Sequence, residues 1–328
     1  MASNFLACAL VLLSGIVCAS AAGAAGAEDA PYPSRSIKIV VPFPPGGATD
    51  AIARVVGAEL SKRIKQPVIM DNRAGAGGNI GAELVAKSPA DGYTLLLGTI
   101  STNAINESLY RNLSFSAQRE LKPIAPLAGL PLVLVTSRPN IRSVEDLIRI
   151  ARQSPGQVTY ASPGSGTAPH LAAEIFQRMS QTTLTHVPYK GSGPMITDVI
   201  AGRVDVAFDT VISSLSHIKS GRLKALGVTT AESLPDLSTV PPIAKAGVPG
   251  FEITAWNGLF APIGTPSTVV ETLNREVSAV LADPKMKQRI MDIGGVPMLQ
   301  DTSGFATFVK SEHDKYRDTI QRANISIE

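Results

Sequence analysis

Cysteine is almost missing from this chain. Its 328 residues hold two, Cys8 and Cys18. Beyond position 18 there is no thiol, which excludes a disulfide, a thiolate metal site and a cysteine nucleophile from the remainder. Aromatic residues reach only 5%, too few for a base-stacking platform. The formal charge of +3 is spread without a basic block, so nucleic acid is not an expected partner. The four histidines never fall in an H-x-x-x-H pair, which leaves metal binding without support and predicts no metal or other cofactor. No G-K-[ST] phosphate loop occurs and no G-x-S-x-G elbow. Ser165, His170 and Asp209 are the residue types of a hydrolase triad, but a serine five residues before a histidine across a helix start does not have triad geometry. After position 27 no apolar run is long enough to cross a membrane.

The first 27 residues are unlike the rest. "FLACALVLLSGIVC" has the length of a secretory core segment and is too short to span a bilayer. "AAGAAGA" follows, with small-residue cleavage patterns ending at Ala24 and Ala27. Residues 1–27 therefore read as a signal peptide, although "MASN" lacks Lys and Arg. Both cysteines fall inside it. The expected product is soluble and exported to the periplasm.

What the chain does have is a repeated grammar. "IKIVVPF", "PVIMDN" and "YTLLLGTI" read as strands, and "TDAIARVVGAELSKRI" and "GNIGAELVAKS" as the helices between them. Ile52, Val56, Leu60 and Ile64 share one helix face. The same alternation restarts at "IRSVEDLIRIARQS", where Ser143 and Asp146 form a capping-box-like pair. "QVTYAS", "LTHVPY", "VDVAFDT" and "LKALGVTT" follow as strands. Two late helices are "STVVETLNREVSAVLAD" and "GFATFVKSEHDKYRDTIQ". Alternation of this kind predicts an α/β fold of two lobes, each a mostly parallel sheet flanked by helices. The apolar crossings "LPLVLVTSRP" and "FEITAWNGLFAP" divide the chain into lobe 1 (28–136 and 256–328) and lobe 2 (137–255), with the C-terminal helices returning to lobe 1.

Three glycine-bearing loops each leave a strand and open a helix: "PFPPGGATD" (42–50), "NRAGAGGNIG" (72–81) and "SPGSGTAPH" (162–170). Any one of them reads equally well as an ordinary turn. Three, spread over both halves, point to a ligand site at the carboxyl ends of the strands. Helix starts there offer unpaired N–H groups and a positive dipole end. The second loop is not a dinucleotide fingerprint, because Ile80 stands where the last glycine belongs.

The motifs "PFPPGGATD", "DNRAGAGGNIGA", "SPGSGTAPHLAAE", "VPYKGSGPMITDVIAGRVDVAFD" and "WNGLFAPIGTP" resemble the substrate-binding proteins of tripartite tricarboxylate transporters, the Bordetella uptake gene family. The resemblance runs from about Tyr32 to the C-terminus. It implies a type II periplasmic binding fold whose lobes close on a small carboxylate: a di- or tricarboxylate, an acidic amino acid or an aromatic acid. It also implies that the loops matching Phe43–Asp50 and Ser162–His170 face each other. Membrane permease subunits are the implied partners of a monomeric receptor. An exported hydrolase and a sensory binding protein are the competing classes.

The loops contain few charges, so a carboxylate would be held by backbone N–H groups and hydroxyls. Hydrogen bonds to a charged group contribute about 1.5–3 kcal/mol each, so roughly four to six approach the ~8 kcal/mol of a micromolar complex without an arginine. The candidate ligand-binding residues are Phe43, Gly46, Gly47, Thr49 and Asp50 in the first loop, and Gly78 and Asn79 in the second. Ser101 and Thr102 follow a strand end. Ser162, Gly164, Ser165, Gly166, Thr167 and His170 belong to the third loop. Tyr189 and Asp209 end later strands. Asp50 reads rather as a first-turn acid favoured by the helix dipole, and His170 rather as a residue that caps or packs at the helix start. Asp209 would either meet a ligand donor or cap the next helix. Lys190 could steer anions, and Trp256 suits a core or hinge position.

Overall fold

The computed structural model describes residues 32–323 and 325. The expected signal segment, 1–27, lies outside them. The unit Arg35–Glu328 opens with β1 (Ile37–Val41), α1 (Ala48–Ile64), β2 (Val68–Asn72), α2 (Asn79–Ala86) and β3 (Thr94–Thr99). β1 pairs in parallel with both β2 and β3. A five-residue π turn, Ser101–Ile105, leads into the short helices α3 (Asn106–Leu109) and α4 (Ala117–Glu120).

The next strand, β4 (Leu121–Thr136), organises the unit. Its first part, from Leu121 to Pro131, pairs antiparallel with β9 (Thr254–Pro262). Its second part, from Leu132 to Thr136, pairs antiparallel with β7 (Val206–Thr210). Between them the chain adds α5 (Val144–Gln153), β5 (Thr159–Ser162), α6 (Ala168–Ser180), β6 (Thr185–Pro188) and α7 (Ser192–Ile200) before β7, then α8 (Val211–Lys219) and β8 (Lys224–Val228). β5 pairs in parallel with β6 and β7. The tail forms α9 (Ser267–Ala282), α10 (Pro284–Asp292), β10 (Val296–Pro297) and α11 (Thr302–Ala323). The strand order is β2-β1-β3-β9-β4-β7-β5-β6, with β8 and β10 also on β4.

Each half has a parallel trio, one strand of which pairs antiparallel with a crossover strand, β3 with β9 and β7 with β4. This is the expected α/β grammar, written twice. Ser143 caps α5 and accepts from Asp146 N at 3.2 Å, as its S-x-x-D spacing predicts. Asn274 of α9 donates to Ile124 O at 2.8 Å, and Arg63 of α1 pairs with Glu276 of α9.

Two aromatic clusters fill the cores. Trp256, Phe260, Phe305 and Phe308 pack beneath the first half, with Trp256 Nε1 donating to Glu312. Phe176, Phe208 and Phe251 pack in the second, with ring centroids 5.7–6.1 Å apart. Trp256 is thus a core residue beside the crossover.

Candidate functional site

Loop 42–50 climbs from β1 to the start of α1, and loop 162–170 climbs from β5 to the start of α6. A cavity of about 120 Å³ lies between them. Its walls include Phe43, Pro44, Pro45, Gly47 and Thr49 from one side, and Pro163, Thr167 and Ala168 from the other. The strand ends supply Thr99, Ser101, Asp209 and Thr210, and β4 and β9 supply a floor of Leu130, Ala255, Trp256 and Asn257. Gly191–Pro194, at the start of α7, closes another side. Four helix starts therefore meet at one small space: α1, α6, α7 and α8, whose N-caps are Gly47, Thr167, Gly191 and Thr210. Each start leaves N–H groups without helical partners. Such a place accepts anions.

A second cavity of about 500 Å³ adjoins it. It shares Phe43, Pro44, Pro163, Thr167, Lys190 and Gly191 with the first, and adds Gly78, Gly164, Ser165 and Tyr189. Lys190 is exposed and borders both cavities. Among the described residues it is the only cation in either wall.

Hydrogen bonds tie loop 162–170 to the segment that follows β3 in the first half. Ala168 N donates to Ser101 Oγ at 3.1 Å, and Tyr110 OH donates to Ser165 O at 3.1 Å. The approach is close enough that glycine is required. A Cβ on Gly166, whose φ is +79°, would meet the Tyr110 ring at 2.7 Å.

Asp209 is fully buried in the cavity wall. Its carboxylate accepts from Ser192 Oγ at 2.8 Å and Ser214 Oγ at 3.0 Å. Burial pushes its pKa up to about 6, against the pull of those hydroxyls and of the Thr210 N–H. The α8 cap is Thr210 itself, which accepts from Ser213 N, so capping is not the role of Asp209. Tyr189 donates its hydroxyl to Asp198 at 2.8 Å and faces the second cavity.

Several sequence-predicted residues are absent from both linings: Gly46 is exposed, and Asp50, Asn79, Thr102, Ser162, Gly166 and His170 stand buried behind the walls. Asp50 accepts from Gly46 N at 3.0 Å, Asn72 Nδ2 at 3.0 Å and Arg54 Nε at 2.8 Å. Thr102 bonds within the turn after β3, to Thr99 and Asn103. Asn79 accepts from Asn106 Nδ2. Ser162 Oγ lies 2.7 Å from His186 Nε2. His170 stacks on His186 with centroids 4.4 Å apart, and its Nδ1 accepts from Gly166 N. These residues shape the loops from behind. The sequence reading overlooked Thr210, Asn257 and the α7 start. Asn257 and Thr210 follow strand residues that pattern alone assigns to a core.

Loops that meet at carboxyl strand ends, on two halves joined by crossover strands, define a two-lobed type II periplasmic binding protein. Residues 52–325 match the tripartite tricarboxylate transporter family receptor. The chain is 41% identical over 318 residues to the UPF0065 protein in the tcbD-tcbE intergenic region of Pseudomonas sp. strain P51, covering 94% of this chain and 93% of that one. It is 34% identical over 320 residues to BugT of Bordetella pertussis strain Tohama I, covering 97% and 98%. Among solved structures it is similar to R. palustris Rpa4515 with adipate, with TM-score 0.87 and 38% identity over 90% of this chain and 100% of that one. MatC from Rhodopseudomonas palustris with bound malate gives 0.84 and 30%, over 88% and 100%. The periplasmic binding protein BugD gives 0.85 and 29%, over 90% and 100%. The chain belongs to the tripartite tricarboxylate transporter receptor family. It is a solute-binding receptor, not an enzyme.

Proposed function

We propose that the protein captures a small carboxylate in the cavity between loops 42–50 and 162–170 and hands it to the permease subunits of its transporter. The observation that carries this is the convergence of four helix starts on a space that has no buried cation among the described residues lining it. Main-chain N–H groups there, with the hydroxyls of Thr49, Ser101 and Thr167, form the anion cradle. Gly78, Gly164, Ser165 and Tyr189 line the approach, and exposed Lys190 draws anions to the mouth. Relatives solved with adipate and malate support a carboxylate ligand.

The two lobes are the sheets on either side of the point where β4 changes partners, between Pro131 and Leu132. β9 starts opposite that point, at Thr254, so both crossings lie side by side and act as a hinge. Closure there buries the ligand and creates the surface that a permease reads. The receptor works as a monomer in the periplasm, after loss of residues 1–27 as a signal peptide.

The test is calorimetry against a panel of carboxylic acids. Gly47 has ordinary backbone geometry and open space where its Cβ would stand, so Gly47→Val keeps the fold and fills the cradle. Binding is expected to be lost without a drop in melting temperature. Unchanged affinity in that variant sinks the cradle.

A further inference from the structure

Asn257 is a buried group that the anion cradle leaves unused. It stands on β9 opposite Thr99 of β3, is fully buried and lines the 120 Å³ cavity. Neither its Nδ2 nor its Oδ1 has a hydrogen-bond partner. Among the described residues of that cavity wall it is the only one with an unpartnered buried side-chain polar atom. Its polar neighbours are satisfied: Thr99 by Thr102, Ser101 by Ala168 N, and Asp209 by Ser192 and Ser214. Leaving both ends of a carboxamide without partners costs stability, and such exceptions call for an explanation.

We propose that Asn257 is a specificity residue, whose carboxamide pairs with an uncharged hydrogen-bonding group at the end of the ligand remote from its carboxylate. The preferred ligands are then hydroxy-monocarboxylates rather than diacids. This deepens the carboxylate reading above and rests on it. A carboxamide both donates and accepts, and so does a hydroxyl. One hydroxyl can satisfy Nδ2 and Oδ1 in turn with a single rotor. A second carboxylate only accepts, so it leaves Oδ1 without a donor. It also enters a cavity whose one buried ionisable group is the acid Asp209, and an unpaired charge is costly there. Between the polar points the wall is apolar, with Ile100, Leu130 and Ala255, which suits a hydrocarbon spacer.

The experiment compares hexanoate, 6-hydroxyhexanoate and adipate by calorimetry on the full mature chain, wild type and Asn257→Leu. The wild type is expected to bind the hydroxy acid about tenfold more tightly than either other acid, the effect of one well-made hydrogen bond. Asn257→Leu should erase that preference while binding hexanoate at least as well. It should also leave the melting temperature of the ligand-free protein unchanged or higher, because it removes an orphaned amide. Asn257→Ser retains a hydroxyl and runs the same comparison should the leucine variant not fold; it keeps part of the preference. A preference that survives in both variants, an equal ranking in the wild type, or adipate as the tightest ligand overturns the inference and leaves the cradle standing. Failure of every acid, hexanoate included, instead removes the carboxylate reading itself.

Discussion

Loop 42–50 and loop 162–170 both leave a parallel strand, turn at glycine and open a helix onto the same cavity, yet opposite chemistry holds them. Behind the first loop stands an ion: the Asp50 carboxylate, gripped by Gly46 N, Asn72 and Arg54. Burial works against that carboxyl, but the Arg54, Gly46 and Asn72 contacts together hold it below the usual range. Behind the second loop stands a neutral stack. His170 and His186 lie face to face, Tyr160 stacks on His186 at 4.7 Å, and Ser162 bonds the His186 ring. Burial pushes both imidazoles down to about 4. The difference teaches that the cradle depends on main-chain geometry, and that rigidity can come from a charge network or from packed rings.

The pH response separates the two supports most strongly. An imidazole whose pKa is lower in the folded state stabilises the fold fully above its unfolded value near 6.5. That contribution is lost as pH falls towards about 4. Asp209 is raised to about 6 and acts in the opposite direction over much of that range. Two imidazoles against one carboxyl leave a net loss of stability between pH 7 and 4. Chemical denaturation across that range measures it, and His170→Phe should flatten the slope. A slope that His170→Phe does not change would show that the ring stack is not its source. Asp50, with a lowered pKa, keeps its contribution until pH drops below 3.8, so the first loop is silent over the same range.

A smaller effect comes from removing the ionic support. Asp50→Ala removes the acceptor of Gly46 N and of one of the two Asn72 Nδ2 hydrogen bonds, the other going to Phe43 O, and is expected to cost about 2 kcal/mol. It should also weaken acid binding, because α1 presents its start less firmly. Smaller again is Thr167→Ala, which removes the α6 cap for about 1 kcal/mol. Its side chain also bonds Gly164 O at 2.6 Å, so the second loop should loosen in hydrogen exchange while the first does not. Least of all, Arg54→Gln should cost about 0.5 kcal/mol, since Arg54 is half exposed and salt screens its pairing. Were Arg54→Gln as damaging as Asp50→Ala, the ion pair and not the Asp50 hydrogen bonds would be the true buttress.

Much of this was legible beforehand. The three strand–loop–helix units of the candidate site read correctly because their β-branched runs and glycines are local signals. The first part of β4 did not. Pro123, Pro126 and Pro131 argue against a central strand, since proline cannot donate to a ladder. The fold tolerates them by shifting the β9 register between Pro123 and Ala125 and again between Pro126 and Ala128. The helices α7, α8 and α10 are nine residues each, and they were not read either. Within the site, Gly47, Thr49, Thr167 and Asp209 were legible from their place at strand ends. Asn257 was not, because it occupies the middle of an apolar strand.

The order of residues alone settled the α/β alternation, the helix starts at the three glycine loops and the neutrality of those loops, because each of these depends on neighbours within a few positions. Only the tertiary structure decided which loops meet, which polar groups stand in the wall and which behind it, and that Asn257 faces the cavity without a partner. Those outcomes depend on β4 and β9 bringing distant segments together where the two crossings lie side by side, and no local pattern encodes which side chain remains unpaired after that closure.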